Sequence, residues 1–178
     1  YDTHGKKADL QFSNPIGYFS LNKRGDLVVI ENTIDGHIIS AYDVKGQSLG
    51  IKHITYTEDA GYPMTCEISP DGSMILVSYL DTNDAEIASN VIGIEIGSTS
   101  IDKVDGIVYG ASYPDTLITE IEFVNQYTWA LIGDNLITFN TLEGEEIRSI
   151  KNKHIKYAPV LTRNSDWQGI TYAIISSD

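Results

Sequence analysis

The side chains able to ligate, protonate or attack lie scattered along this 178-residue chain. Four histidines, His4, His37, His53 and His154, have no short ligand spacing such as two residues four apart on a helix. That argues against zinc and for solvent-facing or hydrogen-bonded structural roles. The one cysteine, Cys66 in "MTCEIS", excludes an internal disulfide framework or a multi-cysteine metal site, and its alternating apolar neighbours predict a buried, inert thiol. No serine stands in a Gly-x-Ser-x-Gly elbow and no glycine-rich phosphate loop is present, so nucleophilic and phosphoryl chemistry find no motif and no cofactor is expected.

Two acidic stretches could offer hard oxygen ligands. In "LDTNDAEIAS", Asp81, Asn83, Asp84 and Glu86 are a calcium candidate, yet the loop lacks the glycine of the sharp turn and the terminal bidentate glutamate of an EF-hand. The reading favours a solvated connector over a metal site. Glu143, Glu145 and Glu146 in "TLEGEEI" are expected to decorate a hairpin turn. Aromatic residues give the other candidate: Tyr56, Tyr62, Tyr109, Tyr113 and Trp167 lie in or near expected connections, where they could stack on a sugar or a peptide, while Trp129 reads as core. Edge packing in strands is the competing account of the tyrosines.

The elements that must position these residues are strands. In "DLVVIE" (26–31), "HIISAYD" (37–43), "SMILVSYL" (73–80), "NVIGIEIG" (90–97), "GIVYG" (106–110), "LITEIEFV" (117–124), "YTWALIG" (127–133), "NLITFN" (135–140) and "EEIRSIK" (145–151) the apolar period is two and β-branched residues abound. The nearest approach to a helix, around 82–91, offers one short turn without an apolar face. Turn residues in "KRGD", "PDGS" and "IGDN" join runs into antiparallel hairpins.

Aligned as repeats, the runs form units of four strands: about 14–54, 62–110 and 117–151, with 152–178 starting a further unit or supplying a closing strand. The expectation is a single all-β domain built of β-propeller blades. "ISPDGSMILVSYLD" (68–81) resembles the strand, Ser-Pro-Asp-Gly turn and strand of WD40-like and YVTN-type β-propellers. The wider pattern over about 14–150 resembles a family of WD40-like proteins of unknown function from Gram-positive bacteria, often carried behind an amino-terminal membrane anchor. No Trp-Asp pair ends a third strand and no Gly-His pair opens a blade, so the structural triad of true WD40 repeats does not map here, and the resemblance brings no catalytic residues.

Three blades raise a closure problem, because propellers normally close with four to eight and an unclosed end leaves apolar residues in water. The expectations are a larger ring, a homodimer, or an open arc capped by the termini. The chain begins "YDTHGKKADL" without an initiator methionine, which predicts a domain cut from a longer, membrane-tethered, extracytoplasmic protein. A formal charge of −13 would repel nucleic acid and anionic membrane surfaces. The functional expectation is a non-enzymatic module that binds a protein or carbohydrate through its loops. The alternative is a propeller hydrolase or lyase whose carboxylates come from different blades.

Overall fold

A run of alternating apolar residues becomes a strand where a turn can fold the chain back beside it, and each turn here does so with its immediate neighbour. The computed structural model describes residues 8–82, 87–97 and 106–151, and the backbone alone of 155–157, 162–163, 170–171 and 175–176. Strands β1 (Ile16–Leu21), β2 (Leu27–Asn32), β3 (Gly36–Tyr42) and β4 (Ser48–Tyr56) form one antiparallel sheet. After a one-turn helix, α1 (Thr57–Ala60), a second sheet follows from β5 (Tyr62–Ile68), β6 (Met74–Asp81), β7 (Ala88–Glu95) and β8 (Ile107–Pro114). The third comprises β9 (Ile118–Asn125), β10 (Thr128–Gly133), β11 (Leu136–Thr141) and β12 (Glu146–Lys151). Further on, β13 (Ile155–Tyr157) pairs with β16 (Ile175–Ser176), and β14 (Thr162–Arg163) with β15 (Ile170–Thr171).

Each of the three sheets takes its four strands in chain order, so none borrows a strand from another. Neighbouring sheets meet face to face, most closely through β1, β5 and β9, which are the inner strands. Between sheets 1 and 2, Val28, Ile30, Ile39 and Ala41 pack on Cys66, Ile68, Ile75, Val77 and Tyr79. Between sheets 2 and 3, Met74, Leu76 and Val91 pack on Ile121, Phe123, Trp129 and Leu131. Sheet 2 therefore buries both faces, which is why β6 reads as a continuous apolar run rather than an alternating one.

The Ser-Pro-Asp-Gly turn shows how local chemistry locks this packing. Asp71 Oδ1 accepts from Ser69 Oγ (2.7 Å), Ser73 Oγ (2.7 Å) and Ser73 N (3.1 Å), while Ser69 Oγ accepts from Ser73 N and Met74 N, both at 2.9 Å. Burial raises the Asp71 carboxyl, but these hydrogen bonds together outweigh it and hold the group below its usual value. Gly72 takes φ +70°, and a Cβ there would also meet Asp26 Oδ2 at 2.6 Å. The turn is thereby pressed against its counterpart in sheet 1. Asn22 Nδ2 donates to Ser69 O at 2.9 Å, Arg24 Nη1 donates to Asp71 O, and Ser20 Oγ donates to Glu67 Oε2. Each of these bonds spans 47 residues, so the repeat is written into the contacts as well as into the sequence.

The far face of sheet 1 is covered by the segment before β1. Leu10, Phe12 and Asn14 alternate inward: Phe12 meets Tyr42 edge-on at 5.8 Å, and Asn14 donates to Glu31 Oε2 through N and Nδ2. Phe19, Leu21 and Ile54 remain exposed.

Candidate functional site

Every strand passes between two ends of the sheets. At one end lie the β2–β3 turn, α1, and the β8–β9 and β10–β11 connections; at the other lie the β1–β2, β3–β4, β5–β6 and β11–β12 turns. Tyr56 and Tyr62 flank α1 at the first end and stand more than half exposed, at 57% and 52%. Between sheets 1 and 2 at this end opens a cleft of about 340 Å³, lined by Tyr18, Ile30, Asn32, His37, Tyr62 and Pro63.

Sequence reasoning passed over His37 as a site residue, because its neighbours come from strands far apart in the chain. The ring lies edge-on to Tyr62 with centroids 6.4 Å apart, Nδ1 is 3.2 Å from Asn32 Oδ1, and Nε2 is 3.5 Å from Thr57 Oγ1. Nδ1–H can donate to Asn32 Oδ1, and burial, which lowers the pKa, favours the neutral form of the ring. Asn32 can lie over β1 because residue 17 is glycine: a Cβ there would come within 2.6 Å of Asn32 Oδ1. With its oxygen engaged by His37, the Asn32 carboxamide keeps Nδ2 as a donor at the cleft.

Tyr109 lies in β8, as the run "GIVYG" predicts, and β8 continues through Tyr113. Tyr109 packs edge-on against Trp129 at 5.2 Å, its hydroxyl 3.1 Å from that of Tyr113, and residue 144 must be glycine because a Cβ would strike the Tyr109 ring at 2.2 Å. Burial, followed by the Tyr113 hydroxyl, raises the Tyr109 pKa. Tyr109 thus cements sheets 2 and 3, whereas Tyr113 also reaches a second cleft of about 520 Å³ with Thr116, Asn135 and Lys151. Trp129 is fully buried, as expected of a core residue. Trp167, His4 and His154 lie outside the described residues.

Of the calcium candidates, Asp81 accepts a 3.0 Å hydrogen bond from Asn90 Nδ2, and Asn83, Asp84 and Glu86 fall outside the described residues. Among the described residues no group of three His, Cys, Asp or Glu side chains could hold a metal ion, and no helix is long and apolar enough to cross a membrane. Glu143, Glu145 and Glu146 are exposed around the β11–β12 turn. Cys66 is buried, and burial with the neighbouring Glu67 charge raises its thiol pKa, which suppresses the reactive thiolate. Ser20 and Lys23 have a Ser-x-x-Lys spacing, but Ser20 is in a strand and its hydroxyl serves Glu67, so the pair is not a nucleophile and its base. On β9, Glu120 and Glu122 share one face, and burial followed by the Glu122 charge raises the Glu120 pKa.

Four-stranded antiparallel sheets, each complete in itself and packed face to face about their inner strands, define a β-propeller. The chain belongs to the family of unknown function DUF5711, matched over residues 1–164. No curated protein matches it. Among solved structures it is similar to the WD40 domain of Toxoplasma gondii coronin (TM-score 0.54, 13% identity, 77% of this chain and 35% of that one). It is also similar to the β-propeller domain of the Trilobed protease from Pyrococcus furiosus, described as having an open velcro topology (TM-score 0.51, 13% identity, 92% and 54%). A third similar structure is the complex of KlAtg21 with the coiled-coil of AgAtg16 (TM-score 0.52, 17% identity, 76% and 43%). These likenesses are of fold, and the chain spans between about a third and about a half of those chains.

Proposed function

We propose that the domain is a non-enzymatic interaction module that takes a protein partner at the end of the blades carrying Tyr18, Tyr56 and Tyr62. The observation that carries this reading is the exposure of Tyr18 and Tyr62 on a cleft between two blades, with Tyr56 exposed close by at the start of α1. Exposed tyrosine on a rigid strand end offers contact area at little entropic cost, as binding surfaces do. A neighbour of the same fold seen with a coiled-coil supports a protein over a carbohydrate as the partner. The test is hydrogen exchange of the domain against a panel of coiled-coil peptides, extended peptides and oligosaccharides. Protection at 33–37 and 56–63 by a peptide supports the reading; protection there by oligosaccharide alone, or by nothing in the panel, overturns it.

Glu120 and Glu122 favour a second reading, a hydrolase or lyase, because adjacent carboxylates with one pKa raised are the kind that share acid and base roles. Cleavage of an oligosaccharide in the same panel, abolished by Glu120→Gln, would establish it.

A further inference from the structure

The charges sort by the end of the blades at which they sit. On the described turns of the Tyr56–Tyr62 end, the charged residues are Asp35, Glu58, Asp59, Asp115 and Asp134, and none is a lysine or arginine. The described turns of the opposite end hold the cations Lys23, Arg24 and Lys45, interspersed with Asp26, Asp43, Asp71, Glu143 and Glu145. Arg24 is there committed to Asp26, with Nε 3.3 Å from Oδ2, and to the Asp71 carbonyl. Among the described residues the cation at the cleft's end is Lys151, at the close of β12 beside the second cleft and on sheet 3, so the turns next to the cleft between sheets 1 and 2 carry acidic charge alone.

We propose that the cleft between sheets 1 and 2 receives a cationic, extended segment of a protein partner, a lysine or arginine side chain lying over Tyr18 and Tyr62 with the flanking carboxylates around it. This rests on the interaction-module reading and names the chemistry of its partner. Three features of the cleft carry it. The exposed tyrosine faces present the negative side of the ring quadrupole to a cation. Asp35 stands on the turn beside Asn32 and His37, its carbonyl accepting from Thr57 N of α1 at 3.2 Å, and Glu58 and Asp59 follow on α1 before Tyr62, so the turn and the helix together make the approach beside the cleft acidic. Asn32 Nδ2 is placed to donate to a backbone carbonyl of an extended chain, while the neutral His37 adds no opposing charge.

The test is fluorescence anisotropy with three labelled decapeptides: Lys/Arg-rich, Glu-rich and Gly/Ser. The Lys/Arg peptide binds, and its affinity falls as salt rises. Tyr62→Ala weakens it about five-fold. The double substitution Asp35→Asn with Asp59→Asn weakens it by about as much and flattens the salt dependence. Glu143→Gln with Glu145→Gln, an equal loss of charge at the opposite end, leaves it unchanged. Absence of binding at low salt, or equal weakening by both charge pairs, overturns the proposal. The asparagine pair keeps the test decisive if Tyr62→Ala does not fold. Tyr62-dependent binding of a neutral coiled-coil peptide, with none of the Lys/Arg peptide, overturns the cationic partner and leaves the module standing. Failure of every peptide to engage this end overturns both.

Discussion

Asn22→Ala removes four hydrogen bonds at once, three within the β1–β2 turn and one that crosses to the second sheet. The carboxamide nitrogen donates to Ser69 O (2.9 Å) and Asp26 Oδ2 (3.0 Å); the oxygen accepts from Arg24 N (3.0 Å) and Asp26 N (2.9 Å). A neutral bond contributes about 1 kcal/mol net and one to a carboxylate somewhat more, while the half-exposed Arg24 N–H regains water, so the loss is about 3 kcal/mol. With a urea m-value of about 2 kcal/mol/M, that lowers the unfolding midpoint by about 1.5 M. Asn125 opens the corresponding turn of sheet 3, but its side chain makes one local bond, to Tyr127 N at 2.7 Å, and Asn125→Ala should cost about 1 kcal/mol or less. Equilibrium urea unfolding of both variants at unchanged m-value is the assay. Equal losses, or less than about 1 kcal/mol for Asn22→Ala, would refute the claim that this side chain holds its own turn and ties it to the next sheet.

Gly36→Ala should cost several kcal/mol, on the order of 2–4, because the new Cβ would lie 2.0 Å from the backbone oxygen of Thr55, which cannot swing away; thermal unfolding measures it. Trp129 Nε1 is buried without a partner, so Trp129→Phe should cost about 1–2 kcal/mol, well short of the 3–5 expected for Trp129→Ala, again by urea unfolding. His37 has a lowered pKa in the folded state, so the stability it contributes is fully present above the unfolded value of about 6.5 and is lost as pH falls toward its folded value. His37→Gln should remove that part of the pH dependence, read as midpoint against pH. Cys66 should resist a thiol reagent in the native protein and react at the rate of global unfolding.

Period-two patterning and turn residues carried most of the architecture, because a strand's alternation and a hairpin's glycine are local properties. The Ser69–Gly72 turn is the clearest case, its serine, aspartate and glycine each recognisable for the bond or dihedral it supplies. Helix α1 had no such signature: "TEDA" has no apolar face, and its turn is imposed by passing from the outer strand of one blade to the inner strand of the next, with Gly61 at φ +80° closing it. β8 runs on to Pro114, past the apolar "GIVYG", because an outer strand half in solvent tolerates small and polar residues. The cleft was legible only in part. Tyr56 and Tyr62 were visible beside a connection, but Tyr18, Asn32 and His37 meet Tyr62 through the pairing of different strands, and the packing of Tyr109, within the run "GIVYG", on Trp129 was not visible because Trp129 belongs to another sheet.

That each blade takes its four strands in chain order has a consequence for synthesis. As the chain emerges from the ribosome, sheet 1 can complete its hydrogen-bond ladders before any residue of sheet 2 exists, and each later sheet then meets a finished face to fold against. A blade closed by a strand from the other terminus would have to wait for the last residues to be made. In these three blades each new strand finds its partner in the strand made just before it, which shortens the time during which a nascent strand can pair with the wrong chain.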